Sequence, residues 1–157
     1  MTHIQKRLDE RGIILPTPAP AVGNYVPALL EGNLLFISGQ LPFDTDGNLA
    51  VRGIIGENLN VDDGVRAAEY CCINILAQAA HILNGDLSHI KRCLKLGGFV
   101  ASAPNYSDHP KIINGASDLL VDILGEPGKH TRIAVGVSSL PLGAAVEIDA
   151  QFIIEMK

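Results

Sequence analysis

The stretch His130-Thr131-Arg132-Ile133-Ala134-Val135-Gly136-Val137-Ser138-Ser139-Leu140-Pro141, followed by Gly143-Ala144-Ala145-Val146-Glu147-Ile148-Asp149-Ala150, decides the reading of this chain. One arginine opens a strand, and a glutamate and an aspartate sit inside the next. A charge in so apolar a setting costs stability unless it is paired or used. Arg132 carries a planar fork suited to a carboxylate, and Glu147 can handle a proton or a water. Over residues 143–155, Val146, Ile148, Ala150, Phe152 and Ile154 share one face, and Ala145, Glu147, Asp149 and Gln151 the other. Over 132–140, Ile133, Val135 and Val137 oppose Arg132, Ala134, Gly136 and Ser138. A two-residue turn at Pro141-Leu142 would pair Leu140 with Gly143 and make the polar faces coincide, so a hairpin is expected.

Working outward, residues 110–124 read as a helix, with Pro110 in its first turn, Asp108 near enough to cap it, and a stripe of Ile113, Ala116, Leu120 and Ile123 ending at Gly125. Leu94 to Ala101 reads as a strand broken at Gly97-Gly98, with Lys91-Arg92 as a solvated turn before it. Residues 61–83 are the main helix: Val65, Ala68, Cys72, Ala79 and Leu83 recur at helical spacing, Asp62 or Asp63 suits its start, and Asn84-Gly85 its stop. Leu34 to Gly39 is a strand after the Gly32-Asn33 turn. Residues 15–28, with Pro16, Pro18, Pro20 and Pro27, are an extended lead-in, and residues 2–11 form a short helix with Ile4 and Leu8 on one side. The order β-β-α-β-α-β-β predicts an α+β layer, two helices covering the apolar face of a mixed sheet. The other face would be bare in a monomer, which calls for association through the sheet.

A length of 157 residues suits one domain, 1–157, with residues 1–18 as an N-terminal extension. Charged residues are only 18%, low enough to imply that other subunits cover part of the surface. A net charge of −5, 4% aromatics and no Trp argue against nucleic acid as a partner. Cys71, Cys72 and Cys93 make a poor disulfide framework and fit buried thiols in a reducing compartment. The start has no apolar run of a secretory signal, and no long apolar span predicts a membrane helix, so a cytoplasmic location is expected. The five histidines lack metal-ligand spacing, and no metal site is expected. His130 reads as a surface residue.

Gly23-Asn24-Tyr25, the run from Gly32 through Ser38-Gly39-Gln40 to Pro42, Arg132, and Leu140-Pro141 followed by Val146-Glu147-Ile148-Asp149-Ala150 together resemble the RidA/YjgF family of imine deaminases. The resemblance covers the chain from about Ala19 to its end. It implies a chorismate mutase-like fold, a homotrimer with clefts between subunits, and hydrolysis of 2-imino or enamino acids to 2-keto acids and ammonia without metal or cofactor. Carried over by position, Arg132 would clamp the substrate carboxylate and Glu147 would position or activate water. Tyr25 and Asn114 would line the cleft, and Gly39 would lend backbone. The chain departs from the family at Gly-Asn-Tyr in place of Gly-Pro-Tyr, at Ala134 where a cysteine is frequent, and in a longer segment at 52–65, so it reads as a divergent subgroup. A non-catalytic protein that binds a carboxylate ligand is the alternative. Parts of the family carry an endoribonuclease L-PSP label, which the negative charge of this chain disfavours.

Overall fold

The computed structural model describes residues 2–155; Met1, Met156 and Lys157, the ends of the expected domain, lie outside the described residues. Helix α1 (His3–Glu10) begins where Thr2 accepts a hydrogen bond from the Gln5 amide. It buries Leu8 and docks on the helix expected at 110–124, α3 (His109–Leu124), through Arg7 to the Asp122 carbonyl and Arg11 to the Asp122 carboxylate at 2.6 Å. Strands β1 (Ala28–Glu31) and β2 (Leu34–Gln40) pair antiparallel across Gly32-Asn33. Helix α2 (Val61–Ile82) follows, then β3 (Ile90–Ala101), β4 (Thr131–Val137) and β5 (Val146–Ile154). The α+β class and the strand–helix order are those expected from the sequence.

Asp62 and Asp63 both lie in the first turn of the main helix, as expected, and Asp63 shares the cap with Asn60: the Asn60 side chain accepts from the Asp63 amide, and the Asp63 carboxylate accepts from the Asn60 amide. This reciprocal box satisfies two end amides at once. Asp108 sits before α3 but makes no side-chain cap bond; its carboxylate is 3.1 Å from the Lys111 ammonium instead. α2 and α3 cover one sheet face and bury Ile75, Leu76, Ile113, Leu120 and Phe152 between the layers.

The sheet order is β1-β2-β5-β3-β4, and it overturns the expected hairpin. β3 lies between β4 and β5, parallel to the first and antiparallel to the second. The physical reason is the α3 crossover, which delivers β4 parallel to β3 at the sheet edge. β5 pairs antiparallel with β2 on one side and with β3 on the other, which places it at the centre. Pro141 to Gly143 form a 3₁₀ turn, not a two-residue turn, in a connection that passes over β3.

The new neighbours reverse one face assignment. Arg132 registers with Leu96 and Ala150, so it lies on the helix side; Ile133 and Val135 register with Gly97–Asp149 and Phe99–Glu147 on the open side. β3 also starts at Ile90, so Lys91-Arg92 are strand residues, and it runs through Gly97-Gly98 without a break. Those glycines admit close neighbours: a Cβ on Gly97 would overlap the Asp149 carboxylate, and one on Gly98 would sit 2.7 Å from Ile113. The open face is more apolar than expected, exposing Leu34, Phe36, Ile133 and Val135 beside its polar residues.

Residues 52–65 build onto the end of the sheet. Ile55 is fully buried and exchanges backbone bonds with Ala101 and Ala103 at 2.8 and 2.9 Å. Cys71, Cys72 and Cys93 are buried, and burial pushes all three thiols up, Cys93 to about 12, which keeps them protonated at neutral pH. No described helix is long and apolar enough to cross a membrane.

Candidate active site

β5 presents Glu147 and Asp149 on the open face, two residues apart on one strand. Gly39 in β2 makes room for the first: a Cβ there would overlap Glu147 Oε1 and stand 2.9 Å from Cδ. Among the described residues, no hydrogen bond or ion pair engages either carboxylate. Burial, and next the charge of Asp149, hold the Glu147 carboxyl above its ordinary value.

Glu147 forms one wall of a cavity of about 490 Å³, with Tyr25, Gly39, Gln40, Leu41, Phe43 and Leu142 around it. The proline-rich lead-in supplies the opposite wall through Ala19, Pro20, Val22 and Pro27. That wall is tied down at both ends. The buried Gln78 amide of α2 donates to the Ala19 carbonyl at 3.0 Å, and Ser38 donates to the carbonyls of Val26 (Oγ, 2.8 Å) and Pro27 (backbone, 2.9 Å). None of residues 52–65 lines this cavity.

Leu142 is a site feature that the sequence reading passed over. It is exposed, lies at the cavity rim and has φ of 59°. A leucine in the left-handed region is strained, and such strain is most often kept at binding surfaces. The apolar residue inside the Pro141-Leu142-Gly143 turn was the available signal.

Three of the five candidates, Tyr25, Gly39 and Glu147, therefore meet around one cavity. Arg132 does not join them. It projects from the edge strand toward α3, donating to Ser117 Oγ at 3.0 Å and to the Pro110 carbonyl at 3.3 Å. Asn114 lines a separate depression with Arg11, Glu69 and Lys111. Ala134 follows Arg132 on the helix side, opposite Gly98. Among the described residues, no group of three His, Cys, Asp or Glu side chains is close enough to hold a metal ion.

In chemical terms, the cavity has a carboxylate and an aromatic ring but no cation on its wall. The β4 edge has a guanidinium bound to a serine hydroxyl and a backbone carbonyl.

A family model described as "YjgF/chorismate mutase-like, putative endoribonuclease" matches residues 5–150. The chain is 42% identical to Protein TCP17 of Trypanosoma cruzi, covering 94% of this chain and 92% of that one. It superimposes on the crystal structure of Atu1372 from Agrobacterium tumefaciens with a TM-score of 0.91 and 52% identity, covering 98% and 93% of the two chains. A 2-iminobutanoate/2-iminopropanoate deaminase of Dermatophagoides farinae is 26% identical over 93% of this chain and 98% of its own.

Proposed function

The chain belongs to the YjgF/chorismate mutase-like family, and from that premise we propose that it hydrolyses 2-imino acids or their enamines in a cleft completed by a second copy of the chain. The observation that carries this reading is the separation of Glu147 from Arg132, on opposite faces of the sheet with β3 between their strands. β4 is an edge strand, so its arginine is available to a neighbour. The neighbour's open face offers what the arginine lacks: a raised carboxylate, a cavity and an uncovered apolar surface. A head-to-tail contact of this kind forms a closed ring when its rotation closes, and a ring of three copies is the assembly that the resemblance implies.

In that cleft Arg132 of one copy grips the substrate carboxylate with two parallel N–H···O bonds. Glu147 of the next takes a proton from water as the oxygen bonds to the imine carbon. The same carboxyl returns that proton to nitrogen, giving a carbinolamine; it then carries the hydroxyl proton to nitrogen as the C–N bond breaks and the C=O forms, and a 2-keto acid and ammonia leave. An imine is already electrophilic, so orientation and proton transfer are the main demands. Tyr25 and the apolar wall lie against the substrate side chain.

The chain is expected to elute at three times its 16.7 kDa mass; a monomer at assay concentration would remove the shared cleft. With 2-iminobutyrate or 2-iminopropionate generated in situ, it should speed ammonia release in competition with semicarbazide. A carboxylate that raises Tm without being consumed would favour the binding-protein alternative.

The base form of Glu147 is the ionised one, so kcat/KM should fall as pH drops through its raised pKa, at higher pH than an ordinary glutamate would give. Asp149 contributes to that rise. Asp149→Asn is therefore expected to move the acidic limb of the pH–rate profile to lower pH. A limb that stays in place would mean that another group sets it.

A further inference from the structure

Arg132 is held by more than its own strand. Its NH1 donates to Ser117 Oγ at 3.0 Å, and Ser117 Oγ is also 3.0 Å from His130 Nε2. The other ring nitrogen, His130 Nδ1, stands 2.6 Å from the Gly128 carbonyl oxygen. A carbonyl only accepts, so Nδ1 carries the proton. In the neutral ring Nε2 is then an acceptor, and the Ser117 hydroxyl donates to it. The serine oxygen keeps its lone pairs for the arginine. Every proton runs one way: arginine to serine, serine to histidine, histidine to backbone.

The anchors span α3 from end to end. Pro110, in the first turn, accepts from Arg132 NH2 at 3.3 Å. Ser117 is in the middle, and Gly128 lies in the 3₁₀ turn after the helix. Gly128 is itself fixed, since a Cβ there would stand 2.8 Å from the Val121 Cα. An arginine loses much of its rotamer freedom when it is ordered. Here the fold has ordered it before any ligand arrives, through two of its five N–H groups, and the rest of the fork is left for a carboxylate.

We propose that Ser117 and His130 are positioning residues that set the Arg132 guanidinium for carboxylate binding, His130 acting only through Ser117. This rests on the reading of Arg132 as the carboxylate clamp. Neither residue is expected to touch the reacting atoms, so their loss should weaken binding and spare the chemical step.

The test is titration calorimetry of 2-oxobutyrate into the intact oligomer, with imine-hydrolysis kinetics alongside, for wild type, Ser117→Ala, Ser117→Thr, His130→Ala and Arg132→Ala. Ser117→Ala and His130→Ala are expected to raise Kd and KM by about tenfold with kcat changed less than about twofold, the signature of lost preorganisation. Ser117→Thr keeps the hydroxyl and should recover most of the affinity. If Ser117→Ala is too unstable to assay, His130→Ala carries the same comparison. Wild-type Kd in Ser117→Ala and His130→Ala, with Arg132→Ala weakened, would overturn the proposal and leave the clamp standing. Wild-type Kd in Arg132→Ala would overturn both. A fall in kcat at constant KM would also overturn the proposal.

Discussion

Replacing Arg132 by alanine is expected to lower kcat/KM for 2-iminobutyrate hydrolysis by about 100-fold, the worth of roughly 3 kcal/mol of charge-assisted hydrogen bonding. The residue sits on the edge strand and donates to Ser117 Oγ and the Pro110 carbonyl. Its loss therefore creates no core cavity, and Tm should change little. Arg132→Lys keeps the charge but lacks the fork, so it should fall between the two. Rates would be read by semicarbazide competition with the imine generated in situ. A wild-type rate in Arg132→Ala would mean that the carboxylate is held elsewhere.

The largest stability effect is expected at Gly115 of α3. Its added Cβ would overlap the Val65 carbonyl oxygen of α2 and lie 3.1 Å from both the carbonyl carbon and Val65 Cγ1. Gly64, across the same contact, would meet Ile112 Cδ1 at 2.5 Å. The two helices thus approach through a pair of glycines, and the obstacle at Gly115 is backbone, which cannot rotate away. In an open helix, Gly→Ala would add about 1 kcal/mol of stability. Here overpacking should reverse the sign, with a net loss of about 2–3 kcal/mol. For a chain of this length that is a fall in Tm of roughly 5–10 °C. Asn114→Ala, one residue away and solvent-facing, should stay within about 0.5 kcal/mol. A Gly115→Ala protein as stable as wild type would mean that the helices do not pack this closely.

What the sequence made legible follows from how local each signal is. α2 and α3 each carry a buried stripe at three- and four-residue steps between stop signals, so both lie within about a residue of expectation. β5 alternates without error because one of its faces is core. Adjacency in the sheet is different. Nothing local to Ser138 or Gly143 reveals that β3 will enter between β4 and β5. Because the strand period is two, that one pairing decides which face Arg132 takes.

The candidate site divides along the same line. Glu147 was legible because an acid inside an apolar strand is unusual, whereas Gly39 and Tyr25 entered only through the family resemblance. Ser117 and His130 are ordinary residues on a helix and a loop, joined only by the path of the chain. Asn114 has a helix position adjacent to Ser117 in angle, yet the structure turns it toward Arg11 and Glu69.

The central claim is that each cleft takes Arg132 from one chain and Glu147 from another. It is tested most directly by mixing two strongly impaired variants, Arg132→Ala and Glu147→Gln, unfolded together in equal amounts and refolded into mixed oligomers. The account predicts recovery of about a quarter of the wild-type rate, because random assembly pairs an intact arginine with an intact glutamate in that share of clefts. Mixed oligomers that form but remain as slow as their parents would contradict it, and would put both residues in the service of a single chain.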